Sequence, residues 1–155
     1  MPKTVEMIVS LKVPDNTAIT TLQTLQKIGF AKIKDIGRSD YYKFLIEGDA
    51  GRFKEKISKV DLLVNANKHS YNFFIANDKN FKILIKNIDD DGSGLLATLR
   101  DRLGFKNIKK VDKAILWSLA IEADEKESGK IAENAAKELL ANEQYQEYTI
   151  LQAIK

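Results

Sequence analysis

Residues 89–94 read D-D-D-G-S-G, three carboxylates followed by two glycines and a serine. A calcium loop of the EF-hand kind needs alternating oxygen ligands, a glycine at the sharp turn and a closing bidentate glutamate. With Gly92 at the glycine position, Asn87, Asp89 and Asp91 fall on ligand positions, but Thr98 stands where the glutamate is required. The flanks read as strand and helix rather than as two helices. Carboxylates ahead of a helix also serve as turn residues and as negative charge at its N-terminus, and that is the role assigned to them here.

The other chemistry-bearing residues fare no better. His69 is the only histidine and the chain has no cysteine. No Cys-His or Ser-His-Asp set can therefore be assembled, and thiolate ligation of a metal is excluded. Gly129-Lys130 lacks a glycine five residues earlier, and Ile131 replaces the Ser or Thr of a phosphate-binding P-loop. Glu122 and Asp124 are same-face neighbours at a strand end, where carboxylates are ordinarily solvated. No catalytic residues, no cofactor site and no metal site are expected.

The bulk properties agree with a binding or assembly role. The chain has 155 residues, 44% of them hydrophobic and 30% charged, with a net charge of +3. The first 75 residues hold twelve Lys or Arg and eight Asp or Glu, the remainder thirteen and fourteen. That is a mildly basic half and a near-neutral one, short of the charge density of a dedicated nucleic-acid binder. Apolar runs are too short to span a bilayer, and the N-terminus lacks the apolar core and cleavage site of a signal peptide. A cytoplasmic protein is expected, with no membrane and no nucleic acid among its partners.

The elements that would position any site occur twice. Residues 29–49 and 104–124 align without a gap at an offset of 75, pairing Phe30 with Phe105, Ile33 with Ile108, Ile36 with Val111 and Ile46-Glu47 with Ile121-Glu122. Further on, Leu62-Leu63 aligns with Leu139-Leu140 at an offset of 77. A repeat of this length marks two small units, each marginal alone, and places them at 1–76 and 77–155, joined by a short polar linker over residues 75–80.

In the first unit, Val5, Met7, Val9 and Leu11 alternate as a strand. Asp15, Asn16 and Thr17 can cap a helix that carries Ala18, Leu22 and Leu25 on one face and ends at Gly29. K-I-K-D-I reads as a strand, G-R-S-D as a turn and Y-Y-K-F-L-I-E as the next strand. Phe53, Ile57, Val60 and Val64 follow at helical spacing, and S-Y-N-F-F-I closes the unit. The second unit repeats the order: a strand at Phe81–Ile85, a helix on Leu96, Leu99 and Leu103 ending at Gly104, strands I-K-K-V and A-I-L-W-S-L-A-I-E, a helix through K-I-A-E-N-A-A-K-E-L-L-A-N, and a last strand Y-T-I-L-Q.

The fold class is therefore α+β, two tandem ferredoxin-like β-α-β-β-α-β units. Tyr42, Phe44 and Ile46, with Trp117, Leu119 and Ile121, are assigned to the helix-covered face. Tyr41, Leu45, Leu116, Ala120, Ile8, Leu84, Phe74 and Leu151 would make the opposite face apolar as well. An apolar face of that size wants a partner, and the tethered second unit is the nearest one. An intrachain pseudo-dimer is expected, its sheets meeting by those faces or along their edges. Tyr41-Tyr42-Lys43-Phe44 resembles the aromatic platform of RNA-recognition modules superficially, but the basic, glycine-containing pattern is missing.

Lys137 to Ile150 read K-E-L-L-A-N-E-Q-Y-Q-E-Y-T-I: a helix ending in L-L-A-N, a short turn, then an acidic residue, a tyrosine and an alternating strand. This resembles PurS, the small subunit of phosphoribosylformylglycinamidine synthase. The helix ending in L-G-F at 103–105, followed by I-K-K-V, is similar to that family's first helix and second strand. A fainter version covers the first unit, where L-L-V-N-A-N-K and Tyr71 stand in for L-L-A-N and Tyr148. The family is ordinarily a single unit that dimerises, and this chain looks like two such units fused. Where family members often carry a proline after L-L-A-N, this chain has Glu143.

The resemblance implies a non-catalytic subunit that bridges a PurL-type synthetase and a PurQ-type glutaminase. The complex carries out the ATP- and glutamine-dependent amidation of formylglycinamide ribonucleotide in purine synthesis. It makes Leu140, Asn142, Tyr145 and Tyr148 candidates for contact with a partner, or equally for a helix cap and strand packing. Further self-association of the chain is compatible with it. The alternative is an ACT-like regulatory module, in which paired ferredoxin-like units bind a small molecule.

Overall fold

A computed structural model gives the structure of the protein, described for residues 2–76 and 78–151. Asn77, within the expected linker, and Gln152, at the end of the expected last strand, lie outside the described residues. Among the described residues six strands and four helices follow one another as β1 (Lys3–Leu11), α1 (Asn16–Lys27), β2 (Ile33–Ile46), α2 (Ala50–Ile57), β3 (His69–Asn72), β4 (Phe81–Asn87), α3 (Ser93–Ala97), β5 (Ile108–Ile121), α4 (Glu125–Ala135) and β6 (Gln146–Leu151). Helices α3 and α4 each continue into one wider, π-helical turn, Thr98–Arg102 and Ala136–Leu140. The architecture is mixed α+β, with the strands in the order β3-β1-β2-β5-β4-β6. β1 pairs antiparallel with β3, and β4 pairs antiparallel with both β5 and β6.

The caps foreseen from the sequence close the first helix. The Asp15 carboxylate accepts from the backbone N–H groups of Thr17 (3.0 Å) and Ala18 (3.2 Å), satisfying two of the donors that a helix start leaves free. At the far end Gly29 adopts φ +116°, the left-handed region that a helix exit favours and that glycine enters without penalty.

The expected turn at G-R-S-D is not a turn. Gly37 to Asp40 run extended inside β2, and the matching stretch of β5 is likewise unbroken, so each repeat has one 14-residue strand where two were predicted. These residue types favour turns through local hydrogen bonds, but here distant partners hold Arg38. Its Nε donates to Asp15 at 3.1 Å and its guanidinium lies over the Trp117 ring.

A strand that does not fold back carries its chain onward, and compactness groups the residues accordingly. One unit gathers the residues up to Lys12, Asp40–Ile75 and Asp89–Ala114; the other gathers Val13–Ser39, Ala76–Ile88 and the residues from Ile115 on. The first unit thus holds β3, β1, the last part of β2 and the first part of β5, with α2 and α3. The second holds β6, β4, the last part of β5 and the first part of β2, with α1 and α4. Each has the strand order of a ferredoxin-like unit, and each takes one helix and the half-strand after it from the other repeat. The division at 1–76 and 77–155 follows the repeat in the sequence; compactness follows these exchanged segments.

Each unit has its own core. In the first, Met7, Val9, Phe44 and Ile46 of the sheet meet Phe53 and Ile57 of α2 and Leu99 of the π-helical turn. In the second, Ile83, Ile85, Trp117 and Leu119 meet Leu25 of α1 and Ala132 and Ala135 of α4. Burying a leucine such as Leu25 completely is worth about 1.5–3 kcal/mol. The helix-side assignment of Tyr42, Phe44, Ile46, Trp117, Leu119 and Ile121 matches these cores. Tyr41, Ile8 and Leu116, assigned to the opposite face, are also buried. Phe74, assigned to the same face, is exposed and lies beyond the end of β3. The short span of β3 is a second departure, since S-Y-N-F-F-I was expected to be extended throughout.

Candidate functional site

The stretch that carries the family resemblance, Lys137 to Ile150, contains a turn built on Asn142. The backbone carbonyl of Asn142 accepts from the N–H groups of Tyr145 (3.0 Å) and Gln146 (2.7 Å). Its Oδ1 accepts from the Gln144 N–H at 3.1 Å, and its own N–H donates to the Gln146 side chain at 3.0 Å. The same turn exists in the first repeat at an offset of 77. There Asn65 O accepts from Lys68 and His69, Asn65 Oδ1 accepts from Asn67, and the Asn65 N–H donates to His69 Nδ1 at 3.0 Å. His69, the only histidine in the sequence, thus occupies the place of Gln146 as the acceptor that closes the turn.

The four interface candidates separate by position. Leu140 is buried in the second core, and Tyr148 packs against that core from β6. Asn142 shapes the turn. Tyr145 is 59% exposed, with its backbone carbonyl accepting from the Ile88 N–H at 2.8 Å. Its ring therefore offers a surface, whereas Leu140 and Tyr148 serve packing.

The loop of carboxylates spends its oxygens on itself. Asp90 accepts from the Gly92 N–H at 2.9 Å and pairs with Lys113 at 3.2 Å, and Asp91 accepts from the Ser93 N–H at 3.0 Å. The Gly92 hydrogen bond, followed by Lys113, holds the Asp90 carboxyl below its usual range. Among the described residues no group of three or more His, Asp or Glu is placed to hold a metal ion.

The tyrosines at 41 and 42 are packed, not displayed. Tyr41 is buried and donates to Glu6, and burial, followed by that hydrogen bond, pushes its phenol well above the ordinary value. Tyr42 stacks on Phe44 with ring centroids 6.1 Å apart, and burial, followed by the charge of Asp40, pushes it up to about 12. Tyr41 is buried and Tyr42 half-buried against the first core, so both rings serve packing. Among the described residues no helix is long and apolar enough to cross a membrane.

A cleft of about 340 Å³ lies in the first unit, between the end of β2 and the loop before β5, lined by Gly48, Arg52, Lys56, Gly104, Phe105 and Asn107 among others. Sequence reading did not find it. The signal that could have done so is the repeat itself, because Arg52 aligns with Glu127, a reversal of charge, and the neutral Asn107 aligns with Lys32.

No curated protein matches the chain. Residues 84–153 match the family PurS, described as phosphoribosylformylglycinamidine (FGAM) synthase. The matched stretch begins in β4 and takes in α3, β5, α4, the Asn142 turn and β6. Over that stretch, which is most of the second repeat, the chain is similar to the PurS family.

Proposed function

We propose that the chain is a non-catalytic subunit of phosphoribosylformylglycinamidine synthase in purine nucleotide biosynthesis, carrying two PurS-like units in tandem over residues 1–76 and 77–155. It bridges the PurL-type synthetase and the PurQ-type glutaminase in the cytoplasm. There it supports the glutamine- and ATP-dependent amidation of formylglycinamide ribonucleotide by holding the two active subunits together, so that ammonia made by one reaches the other. The observation that carries the tandem reading is the duplicated asparagine turn, since the Asn142 copy lies inside the stretch that matches PurS and the Asn65 copy repeats its hydrogen bonds. The absence of cysteine is in keeping with an accessory role, because the glutaminase chemistry needs a thiol nucleophile and must come from another chain.

The test is co-purification. The tagged full-length chain is mixed with the synthetase and the glutaminase, with and without glutamine and ATP, and the retained proteins and the amidation rate are measured. Retention of both partners, and amidation only when all three chains are present, is the expected result. Retention of neither under any of these conditions refutes the bridging role.

A further inference from the structure

The two units share a main-chain frame within which Arg52 and Asn107 stand where the other unit has Glu127 and Lys32. Lys109 and Glu47 pair at 3.7 Å in the first unit, and Lys34 and Glu122, at the aligned positions, pair at 3.8 Å in the second. The main-chain bond from the Glu47 N–H to Asn107 O (3.0 Å) is likewise matched by that from the Glu122 N–H to Lys32 O (2.8 Å). Within this common geometry the second unit closes a salt bridge between Lys32 and Glu127 at 2.5 Å. The first unit has Asn107 and Arg52 there instead. The Asn107 amide donates to the Glu47 carbonyl at 3.2 Å, and Arg52 is left without an anionic partner among the described residues.

Lys56 lies one helical turn beyond Arg52 on the same side of α2 and also has no anionic partner among the described residues. The Asp49 carboxylate caps the helix start by accepting from the Gly51 N–H at 2.8 Å. The two cations line the cleft together with the carboxylates of Glu47, which pairs with Lys109, and Asp49, and with Phe105, whose ring meets the buried Phe53 edge-on at 6.0 Å. A guanidinium fork and an ammonium beside each other suit a doubly charged oxyanion, and an aromatic wall suits a flat apolar body. The volume of about 340 Å³ is that of a small-molecule site.

We propose that this cleft binds a small phosphomonoester, its phosphate held by Arg52 and Lys56 and its body laid against Phe105. The second unit, where Lys32 and Glu127 satisfy each other, would not bind such a ligand at the aligned position. This inference does not depend on the subunit role proposed above, and its test uses the chain alone.

The experiment is an amide-resolved NMR titration of the full-length chain with phenyl phosphate, with inorganic phosphate and phenol as separate arms. Saturable shifts at Gly48, Arg52 and Gly104, with a Kd on the order of 1 mM for phenyl phosphate and about tenfold weaker binding in each other arm, are expected. The double variant R52E/N107K carries the second unit's bridge into the first. It should keep the wild-type spectrum elsewhere and lose at least about tenfold in affinity. R52A, which trims one exposed side chain, gives the same reading if the double variant is misfolded. No saturable shift at these residues up to about 20 mM phenyl phosphate overturns the proposal. So does binding that R52A leaves unchanged, or phenol binding as tightly as phenyl phosphate.

Discussion

The guanidinium of Arg38 lies 5.9 Å from the centroid of the Trp117 ring while its Nε donates to the carboxylate of Asp15 at 3.1 Å. One side chain in the middle of β2 thus ties together the start of α1 and the core face of β5. The Asp15 side chain is mostly buried in this pair, so screening by solvent is weaker than for an exposed bridge. Arg38→Ala should lower the stability by about 1–2 kcal/mol, combining a charge-assisted hydrogen bond with a cation–π contact. Trp117 is the only tryptophan and is buried, so its fluorescence in a urea titration reads the change directly. Arg38→Lys keeps the charge but not the fork, and should recover only part of the loss. An unchanged midpoint in Arg38→Ala would show that β2 stays extended for another reason.

The four residues near the Asn142 turn should separate into two behaviours. Leu140→Ala is expected to cost about 2–5 kcal/mol, because it empties a buried position. Asn142→Ala should cost about 1 kcal/mol through the lost side-chain hydrogen bond to the Gln144 N–H. Tyr145→Ala should change stability by less than about 0.5 kcal/mol, since the side chain is exposed. In the co-purification assay it is the variant expected to reduce partner retention while remaining folded. Thermal melts alongside the assay separate a binding defect from an unfolded chain.

Gly92 should tolerate no side chain. It sits at φ +80°, and a Cβ there would lie 1.9 Å from the carbonyl oxygen of Val111. Gly92→Ala is expected to destabilise the protein by about 3 kcal/mol or more, adding a main-chain clash to the left-handed backbone. Gly94→Ala, two residues on, meets nothing within 4 Å and has no positive φ, so it should be nearly neutral or mildly stabilising. The urea midpoints of the two variants make the comparison.

Acid should weaken the loop that Asp90 organises. In the folded chain its carboxyl titrates below the ordinary value of 3.8, because the Gly92 N–H and Lys113 favour the charged form. The unfolded chain takes up the proton first as the pH falls, so the contribution of Asp90 is complete above its unfolded value and is lost on falling through the folded one. Urea midpoints measured at about pH 6 and about pH 3 should fall by less in Asp90→Asn than in the wild type. An equal fall in both would mean that the acid sensitivity lies elsewhere.

Much of this was legible in the sequence. The 75-residue offset reappears in the matched main-chain bonds at Glu47 and Glu122, and the residue types at Asp15 and Gly29 predicted how α1 begins and ends. Period-2 alternation separated the two faces of β2 and β5 because side-chain direction in a strand is a local property. The continuity of β2 was not legible, since Gly37-Arg38-Ser39-Asp40 has turn chemistry and the partners that hold it extended lie 23 and 79 residues away from Arg38. The exchange of helices between units was hidden for the same reason, because periodicity shows which face of a helix is apolar but not which sheet receives it. The interface candidates came from resemblance alone, and only the coordinates separate Tyr145 from Leu140.

Because each ferredoxin-like unit borrows a helix and half a strand from the opposite repeat, the order of synthesis constrains how the molecule can form. Neither unit is complete when the ribosome has made only the first repeat. The unit built on β1 must wait for residues up to Ala114 to emerge, and the other for the last strand, β6. The nascent first repeat therefore leaves the tunnel with α1 lacking all but the first part of β2 among the strands it will cover, so consolidation is expected late in translation, through contacts distant along the chain.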